Sequence, residues 1–226
     1  MSPLERRLIA ARAAQAPINE ALTTNERILM LNVEHKRQLS ALASYKERAA
    51  RKVEFLPIYE DFVQGAMSNT DGLAERDAQL FTLLIMWHID AGQIAEALPM
   101  ARYALDNHLS VPDRHKRKLP VTLAEEVADY ELQARTTPFD VMCQYVDLLD
   151  GLDMPDQVKA RLHKATAFAH EREPDADKNI TLQHLKRALD LDANVGVKKD
   201  IERVEREIKH ANKELAGGGQ TPPPAN

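Results

Sequence analysis

A single glycine between two apolar stretches constrains this chain most. Leu80, Leu83, Leu84, Trp87 and His88 crowd one side of a segment from Asp77 to Ala91. Gly92 follows, and Ile94 to Asn107 returns with Ala97, Leu98, Ala101, Ala104 and Leu105. Apolar residues three and four apart share one helical face, so both segments read as helices. Gly92 turns the chain, and the alanines let the two axes approach closely, which is the logic of a helix hairpin. Neither helix can bury its apolar face alone, so more helices must cover the pair. His88 beside Trp87 on that face reads as a satisfied core histidine.

The same signals recur along the chain. Residues 1–18 form an Ala/Arg-rich segment bounded by Pro3 and Pro17. Thr23-Thr24-Asn25-Glu26 is a capping box, and no Pro or Gly follows until Pro57. Ile28, Leu31, Leu39, Leu42, Ala49 and Val53 trace a seam that His35, Gln38, Lys46 and Lys52 interrupt. This predicts one long helix to Leu56, ended or kinked by Pro57. Ile58, Phe62, Val63 and Met67 predict a short helix. Thr122-Leu123-Ala124-Glu125 reads as a second capping box, opening a helix to about Ala134. Thr137-Pro138 reads as a cap with Pro at the first helical position. Further helices are predicted to Asp150, from Pro155 to about Glu171, over Leu182–Leu191 and from Val197 to about Leu215. The Ala-Leu wording of the 92–105 and 182–191 segments resembles tetratricopeptide hairpins, without a regular period. The expected fold is all-α: a long N-terminal helix, then tetratricopeptide-like hairpins in a compact bundle. The expected divisions are a basic helical arm over 1–56, a helical core over 57–215 and a disordered Gly/Pro tail over 216–226.

Charge is divided unevenly. The net charge of −5 argues against a generic nucleic-acid coat, but residues 1–52 hold 10 Lys/Arg against 5 Asp/Glu. A basic arm on an acidic body suits DNA contact by one part and protein contact by another; a solvated helix with uneven charge is the plainer alternative. The candidate DNA-contacting cations are Arg6, Arg7, Arg12, Lys36, Arg37, Arg48, Arg51 and Lys52 in the arm. Arg114, Lys116, Arg117 and Lys118 join them in a loop between Pro112 and Pro120. Loop cations can reach phosphates without leaving a packed face, and such contacts are salt-dependent. No reading helix of the helix-turn-helix kind is apparent, so base readout is not predicted.

Catalytic signals are weak. Asp147, Asp150, Asp153 and Asp156 recur every third position, but a two-metal nuclease needs carboxylates converging at about 4 Å. Gly151 and Pro155 interrupt the helix between these residues. The sequence has no H-E-x-x-H and no phosphate-binding glycine motif. His163 and His170 stand two turns apart with no further ligand nearby in sequence. The single Cys143 excludes an internal disulfide and suits a reducing cytoplasm. No catalytic residue, metal or cofactor is expected. No window reaches the roughly 18 apolar residues of a membrane span.

Three blocks in order resemble a known family. They are Met86-Trp87-His88-Ile89-Asp90-Ala91-Gly92-Gln93-Ile94-Ala95-Glu96-Ala97-Leu98 with its basic loop, Asp153 through Lys164, and Gly196 through Glu207. Over about residues 1–215 the chain resembles the small terminase subunit of temperate tailed phages of the Peduovirus-like type. The resemblance implies a ring of about nine subunits, a closed homo-oligomer. It also implies binding to double-stranded viral DNA at the packaging start, a large ATPase–nuclease subunit as partner, and a host-cytoplasmic location. Members of that type are described as the endonuclease subunit; the residues fit recognition better than cutting. Relatives of that type carry a Lys/Arg-rich tail, where this chain has Gly and Pro. Two alternatives stay open: a subunit that cuts DNA itself, and a peptide-binding scaffold.

Overall fold

The computed structural model describes residues 23–111 and 117–217, and among them the regular structure is entirely helical. In chain order the helices are α1 (Thr24–Ser40), α2 (Tyr45–Phe55), a 3-10 turn (Leu56–Tyr59), α3 (Glu60–Ser68), α4 (Glu75–Asp90) and α5 (Ile94–Asp106). They continue with α6 (Leu119–Ala134), α7 (Phe139–Leu149), α8 (Asp156–Glu171), α9 (Lys178–Leu191) and α10 (Lys198–Gly217). The predicted arrangement of residues 1–18 and most of the 216–226 tail fall outside the described residues.

The capping box at Thr23 and Glu26 forms as the sequence predicts: Thr23 Oγ1 accepts from Glu26 N–H, and the Glu26 carboxylate accepts from Thr23 N–H at 2.8 Å. The single helix expected from there to Leu56 is instead two helices broken at residues 41–44. Ser40 Oγ bonds the carbonyls of Lys36 and Arg37, both at 2.9 Å, competing for acceptors at the helix end. Ser44 then caps α2 by accepting from Glu47 N–H. Arg48 Nε bonds the Leu42 carbonyl at 2.7 Å and holds the turn closed.

The break changes which face of α1 is buried. His35 interrupts the apolar seam in the sequence, yet it is buried with Asn32 and Leu39, while Val53 is exposed. The His35 ring stacks on Phe55 with centroids 3.8 Å apart, and its Nδ1 lies 2.8 Å from the Tyr59 hydroxyl. An apolar residue at position 35 would leave that hydroxyl without this partner inside an aromatic cluster of Phe55, Tyr59 and Trp87. Pro57 sits in the first turn of the 3-10 segment, so it tightens the chain there without ending the helical run.

α4 is the centre of the bundle, with nine buried residues from Leu80 to Ile89, and it is apolar on nearly all sides because helices cover it on nearly all sides. Gly92 turns the chain at φ +80°, in the left-handed region, and Gln93 N–H closes back on the His88 carbonyl at 2.9 Å. The Tyr130 hydroxyl occupies the place a side chain at 92 would need. Ala97, Ala101 and Ala104 are fully buried, as a close hairpin requires. His88 differs from expectation: it is only partly buried, and its Nδ1 has no hydrogen-bond partner among the described residues. Burial pushes its pKa down.

Two other caps shift. α6 starts at Leu119, three residues before the predicted Thr122 box, because Pro120 fits the first turn where its missing N–H costs nothing. Thr122 Oγ1 bonds back to the Lys118 carbonyl instead. At α7 the cap is Pro138, since Thr137 is pulled inward: its N–H donates to Glu131 Oε2 at 3.0 Å. Glu131 is fully buried and pairs with Arg172, which also donates to the Thr137 carbonyl at 2.8 Å. One carboxylate and one guanidinium thus tie the end of α6 and the α6–α7 turn to the end of α8. Pro155 opens α8 as predicted.

One apolar cluster runs from Leu39 to Ala169 and joins α1 through α8. A second, of Ala167, Leu185, Val197, Ile201 and Val204, seats α9 and α10 against α8.

Candidate nucleic-acid interface

Arg6, Arg7, Arg12, Arg114 and Lys116 lie outside the described residues. The structure does not gather the other candidate cations into one unpaired stripe; it sorts them by what holds them. Lys36 stands exposed on α1 with no ion pair among the described residues. Arg37 forks onto Glu34 one turn back, Nε to Oε2 at 2.8 Å and a terminal nitrogen to Oε1 at 2.6 Å. The Arg37 bonds, then the Gln38 bond, bring the Glu34 carboxyl down to about 2. Arg51 pairs with Glu54 and lies over the Phe55 ring. Arg48 is committed to the α1–α2 turn. Lys52 pairs with Asp90 across to α4, and its side chain is only 14% exposed.

The second set stands at the start of α6. The chain leaving α5 is anchored by Thr82 Oγ1, which donates to the Ser110 carbonyl at 3.1 Å, and by the buried Val111. It returns at Arg117, which pairs with Glu125, and Lys118, whose Nζ lies 3.2 Å from Asp153. These cations flank an open groove of about 640 Å³, with Val121, Met154, Pro155 and Val158 along its floor. Arg117 and Lys118 side chains are 61% and 74% exposed. Exposed pairs of this kind are worth at most about 1 kcal/mol, so a phosphate can replace the carboxylate. Lys52 and Arg48 cannot be released so cheaply, because the fold uses them.

Carboxylates offset the cations on the α2–α4–α6 surface. Asp90, Glu125, Glu126 and Asp129 gather there; burial, then the neighbouring Asp90, Asp129 and Glu125, raise the Glu126 pKa. Arg161 pairs with Asp129. The surface is therefore mixed in sign.

The four aspartates at every third position are dispersed. Asp150 faces His163 Nε2 at 3.5 Å, whereas Asp153 is 95% exposed beside Lys118. Among the described residues no three Asp, Glu, His or Cys side chains are placed to hold a metal ion. Sequence reasoning missed a histidine seam between α8 and α9. His163 Nδ1 lies 3.1 Å from His184 Nδ1, and His170 Nδ1 lies 2.8 Å from Thr181 Oγ1. Burial lowers all three histidines; in His184, the adjacent His163 and His170 add to this and bring it to about 4. A base with such a low pKa is neutral at pH 7, so this seam offers no cation to DNA. Also missed were exposed apolar side chains on the first helices: Met30, Val33, Tyr45, Val53 and Ile58 are each between 44% and 84% exposed.

The described residues form an all-helical bundle with exposed cations at the start of α6 and on α1 and exposed apolar side chains on its first helices. Its family follows from comparison with known proteins. The family model described as phage small terminase subunit matches residues 29–157, and the chain belongs to that family. It is similar to the protein named "Terminase, endonuclease subunit" of Escherichia phage P2, with 38% identity over 218 residues, spanning 92% of this chain and 86% of that relative. No solved structure matches it. Among the described residues no helix is long and apolar enough to cross a membrane.

Proposed function

We propose that this chain is the DNA-engaging subunit of a terminase, working in the host cytoplasm as a closed ring of about nine copies. The ring holds double-stranded viral DNA at the packaging start and presents it to a large ATPase–nuclease subunit that cuts and translocates. The similarity to the phage P2 terminase subunit across nearly the whole chain carries this reading. The phosphate contacts are assigned to Arg6, Arg7, Arg12, Lys36, Arg37, Arg51, Arg114, Lys116, Arg117 and Lys118. Arg48 and Lys52 support the surface that carries them.

The test is native mass followed by DNA retention across a salt series. A closed assembly that releases phage DNA steeply as salt rises supports the proposal. Replacing Arg117 and Lys118 by Gln is expected to reduce the salt slope by about 2. A monomer indifferent to phage DNA overturns the reading. The relative's name favours a second reading, that this subunit itself cuts. Purified protein incubated with cohesive-end DNA and magnesium or manganese decides it: cut ends support a nuclease, and intact DNA assigns cleavage to the large subunit.

A further inference from the structure

A groove of about 360 Å³ lies between α1, α3 and the start of α4, far in sequence from the basic loop. Its floor is apolar: Ile28, Phe62, Ala66 and Leu73. Two carboxylates, Asp61 and Asp77, stand on its walls, and Ile58, 47% exposed, adds to its rim. Gly65 opens into it, and a side chain added there meets nothing within 4 Å. The groove therefore has room, an apolar floor and negative charge, which together fit an apolar segment that carries cations.

Such a segment is tethered at its mouth. Thr24 and Asn25, in the first turn of α1, form part of the groove wall, so the chain before Thr23 leaves the fold there. That chain includes Leu4-Glu5-Arg6-Arg7-Leu8-Ile9-Ala10-Ala11-Arg12, with three large apolar residues and three arginines. The eleven steps from Arg12 to Thr23 reach up to about 36 Å, ample to fold back over the groove. A short tether supplies a local concentration on the order of millimolar, so even weak apolar contact is held.

We propose that residues 4–12 occupy this groove in the same chain, with Leu4, Leu8 and Ile9 against its floor and the arginines toward Asp61 and Asp77. A cation there answers a carboxylate in the groove, so a seated arm is withheld from other anions until something displaces it.

The test is limited trypsin digestion of the full chain, with cuts after Arg6, Arg7 and Arg12 read by mass spectrometry and no DNA present. The native chain is expected to be cut slowly at these sites. Gly65→Trp fills the groove and is expected to speed cutting about tenfold, and Asp61→Asn about threefold, with unchanged melting temperatures. Gly65→Ala is expected to leave the rate as it is. Equal cutting in all four proteins overturns the proposal. Protection that disappears on dilution assigns the seat to the arm of a second copy and overturns the intramolecular form. The readout involves no DNA, so failure here leaves the packaging proposal standing.

Discussion

The two parts of this molecule are held together by different physics. From Leu39 to Ala169 one apolar cluster joins eight helices. Beyond it, among the described residues, α9 and α10 close on a smaller cluster of five buried apolar residues, with Phe168, Leu182, Leu189, Val195 and Ile208 packed around it. Ion pairs surround that small patch: Lys178–Glu207 and Lys186–Glu205, both at 2.7 Å, and Arg203 with Glu171 and Glu207 at 2.6 and 3.2 Å. Apolar burial is indifferent to moderate salt and to pH, whereas exposed ion pairs respond to salt and the histidine seam to pH. The body should therefore unfold as one unit, and the C-terminal hairpin should open first and more variably.

The largest expected effect comes from cutting the body's core. Leu84→Ala should lower global stability by about 3–4 kcal/mol in urea unfolding, since Leu84 is fully buried. Leu185→Ala, equally buried but in the small cluster, should act mainly on hydrogen exchange in α9 and α10. Equal losses of global stability from the two would erase the distinction between the parts. Next is Arg172→Ala, expected to cost about 3 kcal/mol because it strands the Glu131 carboxylate.

A smaller effect is expected from pH. The histidines of the α8–α9 seam have folded pKa values below the unfolded value of 6.5, so the unfolded chain takes up protons first as pH falls. Stability should be level above about 6.5 and fall toward about 4, by roughly 1–2 kcal/mol after allowance for partial solvation. His184→Phe should flatten that slope, and circular dichroism melts across the range would show it. The smallest effect is Arg203→Ala. Arg203 is 40% exposed, so the loss should stay under about 1 kcal/mol and vanish in 1 M salt.

Much of the fold was legible because its signals are local. Gly92, the Thr23–Glu26 box and Pro155 each act within a few residues, and each marks the boundary the sequence predicts. The failures have two causes: a competing local signal, as where Ser40 and Ser44 split the first helix and Pro120 starts α6 early, and a tertiary partner that outvoted the local one. Thr137 looks like a cap, but Glu131 takes its N–H. His35 looks polar against its seam, but Tyr59 and Phe55 make a place for it. The candidate cations were visible as residue types, while their partners were not. Lys118 meets Asp153 across 35 positions, and Lys52 meets Asp90 across 38. The His163–His184 contact spans 21 positions on two helices, beyond any spacing rule for a single helix.

The Glu131–Arg172 pair also sets a timetable for the nascent chain. Glu131 leaves the ribosome 41 residues ahead of the arginine that neutralises it inside the fold. At about 5–20 residues per second, α6 waits roughly 2–8 seconds with a carboxylate whose charged partner has not yet been made. A chain released at residue 165 is expected to remain fully sensitive to protease, whereas one released after residue 217 resists it. The body is therefore expected to gain its full stability only once Arg172, at the end of α8, has been made, with α9 and α10 following it in the chain.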